Sequence, residues 1–169
     1  MRLFIAITLP PAVKQQLAEY AGCLVALAVY AKPTRQDNFH LTLAFLGGAL
    51  TETQACAALS AVRGAPFKLY SDKAGVFRRG GGDIHWLGLK SSDELTALYQ
   101  QVAAALAEAG FVLENRPYSP HITLAREVRG LSGAPPPPRF VAPVLGLTLM
   151  NSERLNGVLT YTSLYEKRF

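Results

Sequence analysis

The hexapeptide HLTLAF at residues 40–45 returns as HITLAR at residues 121–126, with His, Thr, Leu and Ala in the same places. Each copy alternates polar and apolar positions with the two-residue period of a β-strand. In a strand, His40 stands beside Thr42 and His121 beside Thr123, while Leu41, Leu43, Ile122 and Leu124 point the opposite way into a core. Two such strands lying side by side, or related by a pseudo-two-fold axis, would bring two imidazoles and two hydroxyls to one point.

Working outward, strands and helices are mixed along the chain, so the class is α+β. Residues 2–8 form an apolar run that reads as a strand covered on both faces. Pro10 and Pro11 then open a helix, since proline is tolerated in a first turn, and Val13, Leu17, Tyr20, Ala21 and Leu24 recur at helical spacing. The apolar stretch 21–31, followed by Lys32 and Pro33, suits the end of a buried helix. Thr51 with Gln54 and Ser91 with Glu94 match the capping-box pattern ahead of two further helices, which Gly64 and Gly110 are expected to stop. The remaining strand-like runs are 39–46, 67–70, 74–77, 84–89, 121–125, 141–150 and 158–165. RRGGG at 78–82 reads as a turn between antiparallel strands, and the proline-rich stretch 131–138 as a stiff surface connection.

A chain of 169 residues, half of them apolar, has the size of one domain that buries its core without disulfide or metal staples. The balance of 17 Lys and Arg against 12 Asp and Glu favours polyanionic partners. The basic residues are scattered rather than blocked, which excludes a basic nucleic-acid-binding tail. Cys23 and Cys56 lie in no CxxC pair and read as buried small residues of a reducing cytoplasm. The apolar N-terminus is too short for a signal peptide or a membrane span.

Two histidines fit phosphoryl chemistry at neutral pH. Imidazole titrates near 6.5, so one can act as base while the other acts as acid. The Thr hydroxyls can donate to non-bridging phosphate oxygens as charge builds there. A single His among apolar residues is more often structural. Here two of the chain's three histidines occupy the same place in the same motif. The third, His85, stands beside Trp86 without a Thr partner and is expected outside the substrate's reach.

The paired H-x-T-x motifs, about eighty residues apart, resemble those of the two-histidine (2H) phosphoesterase superfamily, in particular its LigT-like branch of RNA 2′,3′-cyclic phosphodiesterases. MRLFIAITLP, TRQDNFHLTLAFLG, HWLGL, RPYSPHITLAR and LMNSERLNGVLTYTSLYE are similar to that branch as well, so the resemblance covers nearly the whole chain. It implies a bilobal α+β fold, residues 1–169 as one domain of two lobes, with two pseudo-symmetric antiparallel sheets and outer helices around a central cleft. It further implies hydrolysis of an RNA-terminal 2′,3′-cyclic phosphate to a 2′-phosphate, with 2′-5′ joining in some members, no metal or cofactor, and a monomer. Carried over by position, His40 is the general acid, His121 the general base, and Thr42 and Thr123 hold the phosphate; the residues alone allow the two His roles to be exchanged.

Arg126 stands where the family has a basic residue that helps bind phosphate or base, and Phe45 takes the matching place in the first copy. Each lies five residues after its His. An ideal strand would turn it away from the cleft, so contact with substrate requires the strand to end, twist or bulge. Tyr30-Ala31-Lys32 departs from the family's aromatic-rich segment.

Two other classes compete. A catalytic zinc site needs three protein ligands, and no H-E-x-x-H, H-x-x-E-H or carboxylate-rich partner accompanies either motif. A non-catalytic RNA- or nucleotide-binding module could keep the same cleft, but binding alone does not require an imidazole in both copies. A small cyclic nucleotide could replace RNA as the substrate; the basic charge favours RNA.

Overall fold

The apolar run Arg2–Thr8 forms the first strand, β1, and is buried from Leu3 to Ile7, as a strand covered on both faces must be. The computed structural model describes residues 2–47 and 51–169. After β1 come α1 (Pro11–Leu27), β2 (Tyr30–Pro33), a 3-10 turn (Gln36–Asn38) and β3 (His40–Phe45). α2 (Glu52–Ala61) precedes β4 (Phe67–Phe77) and β5 (Asp83–Leu89), and α3 (Asp93–Glu108) precedes β6 (His121–Arg129). β7 (Val141–Val144), β8 (Gly146–Leu155) and β9 (Val158–Arg168) follow.

The strands form two antiparallel sheets, one ordered β3-β1-β8-β9 and the other β2-β6-β5-β4-β7. The first motif lies on an edge strand, β3, and the second on an interior strand, β6. The helices cross over between lobes. α1 leaves the four-stranded sheet and packs on β2 and β6 of the other, while α3 leaves the five-stranded sheet and packs on α2 and β3. Each lobe is thus covered by a helix that starts from the other, which fixes the two motif strands relative to each other.

The motif's apolar positions anchor it. Leu41, Ile122 and Leu124 are fully buried and Leu43 is 4% exposed.

Several boundaries differ from the sequence reading. Phe67–Phe77 is one strand, not two, because the register shift between Ser71 and Ala74 is absorbed without ending the pairing. The run 141–150 is two strands in different sheets, parted at Leu145, and the chain changes sheet there. Gly146 makes the crossing possible: a Cβ would sit 2.2 Å from the Lys167 carbonyl oxygen. The helix end expected in the stretch 21–31 stops at Leu27, and β2 begins at Tyr30, pairing with β6.

The box at Thr51 and Gln54 forms both of its bonds, 2.8 Å and 3.3 Å. The one expected at Ser91 does not form. Ser92 is the cap instead, accepting from the Leu95 amide at 3.1 Å. α2 ends at Ala61, with Val62 as its C-cap, before Gly64. Gly110, at φ 90°, ends α3 with paired bonds from Gly110 N to Ala107 O and from Phe111 N to Leu106 O. Cys23 is exposed and Cys56 half-buried, so neither fills the core as expected.

Candidate active site

Both histidines are held by the same device. His40 Nδ1 lies 2.7 Å from the carbonyl oxygen of Asn38, and His121 Nδ1 lies 2.7 Å from that of Ser119, each two residues upstream. A carbonyl can only accept, so Nδ1 carries the proton and Nε2 presents a lone pair. At His40 that lone pair accepts from the Thr42 hydroxyl at 2.8 Å. His121 has no such bond to Thr123. The two threonines therefore begin the reaction in different states: one hydroxyl is engaged by its imidazole and the other is free to turn.

The strands bulge at the same motif position. Opposite β3, Ile5 pairs with Ala44 and Ala6 with Thr42, which leaves Leu43 as the extra residue. Opposite β6, His85 pairs with Ala125 and Trp86 with Thr123, which leaves Leu124 as the extra residue. One inserted residue reverses the alternation beyond it. Phe45 and Arg126 consequently return to the face that carries His and Thr. The Phe45 ring lies 5.9 Å from that of Phe4, which lies 4.9 Å from the His40 ring. Arg126 is close enough to bear on the titration of His40, His121 and Tyr161.

A bulge frees ladder carbonyls that must find donors. The Thr42 carbonyl accepts from the Tyr118 hydroxyl at 3.1 Å, and the Thr123 carbonyl accepts from the Thr34 hydroxyl at 2.9 Å. The first of these bonds ties the segment leading into His121 to the backbone of the first motif. Tyr118 is further fixed by stacking on Tyr99, with centroids 4.1 Å apart and planes 5° from parallel. Burial, aided by Tyr99, pushes its phenol pKa up and keeps the donor protonated.

Each imidazole is walled by two rings. Tyr161 stands edge-on to His40 at 5.1 Å and 86°, with Phe4 beside it; Phe77 stands edge-on to His121 at 5.1 Å and 88°, with Trp86 at 5.8 Å. Sequence reasoning assigned no role to these four residues. Their signal was present in part, since HWLGL and the closing strand were already conspicuous, but which rings meet which His depends on pairing register. His85 pairs with Ala125 on the opposite face and lines a cavity of about 160 Å³ with Tyr20, Leu24 and Leu131. A wider cavity of about 640 Å³, between α3 and the start of β4, contains neither motif.

Desolvation dominates the electrostatics. Burial pushes His40 down to about 4; the Asn38 carbonyl opposes this, while Lys14, Arg126 and His121 reinforce it. Burial also lowers His121, opposed by Ser119 and reinforced by Arg116 and Arg126. Without ligand, both imidazoles are therefore neutral at pH 7. A consequence for stability follows. The unfolded chain takes up a proton on His40 near 6.5, whereas the folded chain does so only near 4, so stability falls as pH drops through that window. The expected loss is roughly 3 kcal/mol from His40. His40→Asn should flatten the acid slope of urea-unfolding free energy by about one proton between these pH values. An unchanged slope would refute this account of the depressed pKa.

Among the described residues, no group of three or more His, Cys, Asp or Glu is placed to hold a metal ion. No described helix is long and apolar enough to cross a membrane. What the arrangement offers is two neutral bases fixed at Nδ1, two hydroxyls, one guanidinium and aromatic walls.

The sequence model of the 2′-5′ RNA ligase superfamily matches residues 9–138. The RNA 2′,3′-cyclic phosphodiesterase of Escherichia coli K12 is 34% identical over 167 residues, covering 96% of this chain and 93% of the relative. That of Geobacillus stearothermophilus is 35% identical over 132 residues, which cover 75% of this chain and 42% of the relative's length. The crystal structure of E. coli LigT complexed with 3′-AMP superposes with a TM-score of 0.85 at 31% identity, covering 99% of this chain and 97% of that one. With the doubled motif, the mirrored bulges and this agreement over almost its full length, the chain belongs to the 2′-5′ RNA ligase superfamily, among the LigT-like two-histidine phosphoesterases.

Proposed function

We propose that this protein hydrolyses the 2′,3′-cyclic phosphate at RNA ends to a 2′-phosphomonoester by metal-independent acid–base catalysis, as a monomer in the cytoplasm and as one two-lobed domain over residues 1–169. The observation that carries the reading is the matched pair of imidazoles, each anchored at Nδ1 by the carbonyl two residues upstream and each followed two residues on in its strand by a threonine. Curated relatives named RNA 2′,3′-cyclic phosphodiesterase support the substrate class, and the E. coli neighbour's complex with 3′-AMP, a nucleoside carrying phosphate on a ribose hydroxyl, supports a nucleotide in the cleft. The net charge of +5 suits a polyanion, and two unpaired thiols suit a reducing compartment.

In the proposed reaction, His121 Nε2 takes a proton from water as its oxygen attacks phosphorus. The P–O3′ bond breaks, and His40 Nε2 delivers a proton to O3′. Since both imidazoles are neutral without ligand, the acid must acquire its proton with the substrate. Thr42 supplies the coupling. Its hydroxyl leaves His40 Nε2 to bond a phosphate oxygen, which frees the lone pair, and the phosphate's negative charge then favours the imidazolium. Thr123 and Arg126 hold the remaining oxygens, and Phe45 borders the His40 side.

The test is a 2′,3′-cyclic-phosphate oligonucleotide offered in EDTA, with the product isomer identified. The 2′-monophosphate at an undiminished rate is expected. Retention of the ligand without turnover, or activity lost to the chelator, would refute the proposal.

A further inference from the structure

The outermost ring on the His40 side of the cleft is covered by a cation. Arg2 Cζ lies 4.7 Å over the Phe45 ring, Phe45 lies 5.9 Å from Phe4, and Phe4 lies 4.9 Å from His40. Strand parity puts Arg2 and Phe4 on one face of β1, two residues and so about 7 Å apart. That interval is comparable to the spacing of successive phosphates in an extended RNA strand. Arg2 is also firmly placed. Its backbone amide donates to the side-chain oxygen of Asn151 at 3.2 Å, and Asn151 is itself buried.

Arg2 is exposed, and among the described residues no carboxylate pairs with its guanidinium. The half-buried Phe45 ring covers one face of the guanidinium and leaves the N–H edges open, the fork that grips a phosphate through two parallel bonds. The reaction at phosphorus gives this cation no task. Arg126 is close enough to bear on the titration of His40, His121 and Tyr161, whereas of these three groups Arg2 bears only on Tyr161. Two guanidiniums thus flank Tyr161, and only Arg126 is within range of the reacting phosphate. Since O3′ departs on the His40 side in the proposed reaction, the rest of the terminal nucleotide extends past Phe45 toward Arg2.

We propose that Arg2 binds the 5′-phosphate of the nucleotide that carries the cyclic phosphate, and so selects an RNA end over a free nucleoside cyclic phosphate. The inference rests on the cyclic-phosphate reading above and deepens it, naming the feature of the substrate that is read away from the reacting centre. In an RNA chain that 5′-phosphate is the diester to the next nucleotide upstream; in a lone nucleotide it is a monoester. Both place an anion one nucleotide's length from the scissile phosphorus. A nucleoside 2′,3′-cyclic phosphate has neither, and Arg2 then holds nothing.

The test is kcat/KM for adenosine 2′,3′-cyclic phosphate, for the same compound bearing a 5′-phosphate, and for a dinucleotide ending in the same cyclic phosphate. Each is measured on the wild type, Arg2→Gln and Arg79→Gln. Arg79 is the matching cation on the opposite side, 5.8 Å from the centroid of Phe77, which walls His121. The wild type is expected to prefer both phosphate-bearing substrates to the nucleoside by at least about tenfold, the scale of one charge-assisted hydrogen bond. That preference should shrink as salt rises. In Arg2→Gln it should fall to within about twofold, and in Arg79→Gln it should hold. Each preference is a ratio within one variant, so it does not depend on how much of that variant is folded. A preference kept in Arg2→Gln, or lost in Arg79→Gln in its place, would overturn the site. A preference for the dinucleotide alone would also overturn it, because the upstream nucleoside and not the phosphate would then be read. A wild type that opens all three equally would overturn this inference only, whereas one inactive on all three would bring down the parent reading with it.

Discussion

Replacing either His40 or His121 with alanine is expected to lower kcat by roughly 10² to 10⁴ with little change in KM, because a positioned acid or base contributes that much. Each ring is anchored at Nδ1 by a backbone carbonyl, so substitution removes Nε2 without disturbing a side-chain partner beyond Thr42. The two residues act in one step. The double variant should therefore be no slower than the worse single variant by more than about tenfold. A substrate with sulfur in place of O3′ separates the roles. Sulfur leaves without a proton, so it should rescue His40→Ala and not His121→Ala. Rescue of the opposite variant would exchange the assignments, and near wild-type activity in either single variant would contradict the mechanism.

Thr42→Val and Thr123→Val are expected to lower kcat by about 10² to 10³ each, the effect of removing one donor to developing phosphate charge. The two should differ in a second property. The Thr42 hydroxyl donates to His40 Nε2 at 2.8 Å and so favours the neutral ring; its loss should raise the ligand-free His40 pKa from about 4. No such bond joins Thr123 to His121, so Thr123→Val should leave the His121 titration in place. Equal shifts in both, or none, would remove the proposed coupling between phosphate binding and protonation of His40. Valine keeps the β-branched shape, so the strands should hold.

The doubled hexapeptide was legible because its chemistry and its burial follow the same two-residue period. Leu41, Leu43, Ile122 and Leu124 lie in the core, and the α+β class follows from the mixture of elements, whereas the two antiparallel sheets were implied by the family resemblance alone. The parity problem at Phe45 and Arg126 was legible as a problem only. Its solution, an extra residue at Leu43 and at Leu124, is a property of the neighbouring strands β1 and β5 and has no mark in the motif. The aromatic walls failed for the same reason. Phe4, Phe77, Trp86 and Tyr161 come from four strands, and only register brings them to the histidines. The cap of α3 shifted from Ser91 to Ser92 because adjacent serines offer the same chemistry and the helix start chose between them. The sheet change at Leu145 was hidden by an unbroken apolar run.

The account rests on both imidazoles serving one phosphorus, and histidine side-chain NMR tests this most directly. The three ring systems are titrated with and without a nucleoside 2′-monophosphate, the proposed product. Bound phosphate should raise the pKa of His40 and of His121 by about one unit or more, since each Nε2 then faces the same anion, while His85, on the opposite face, stays where it was. A shift confined to one of the pair, or shared with His85, would contradict it.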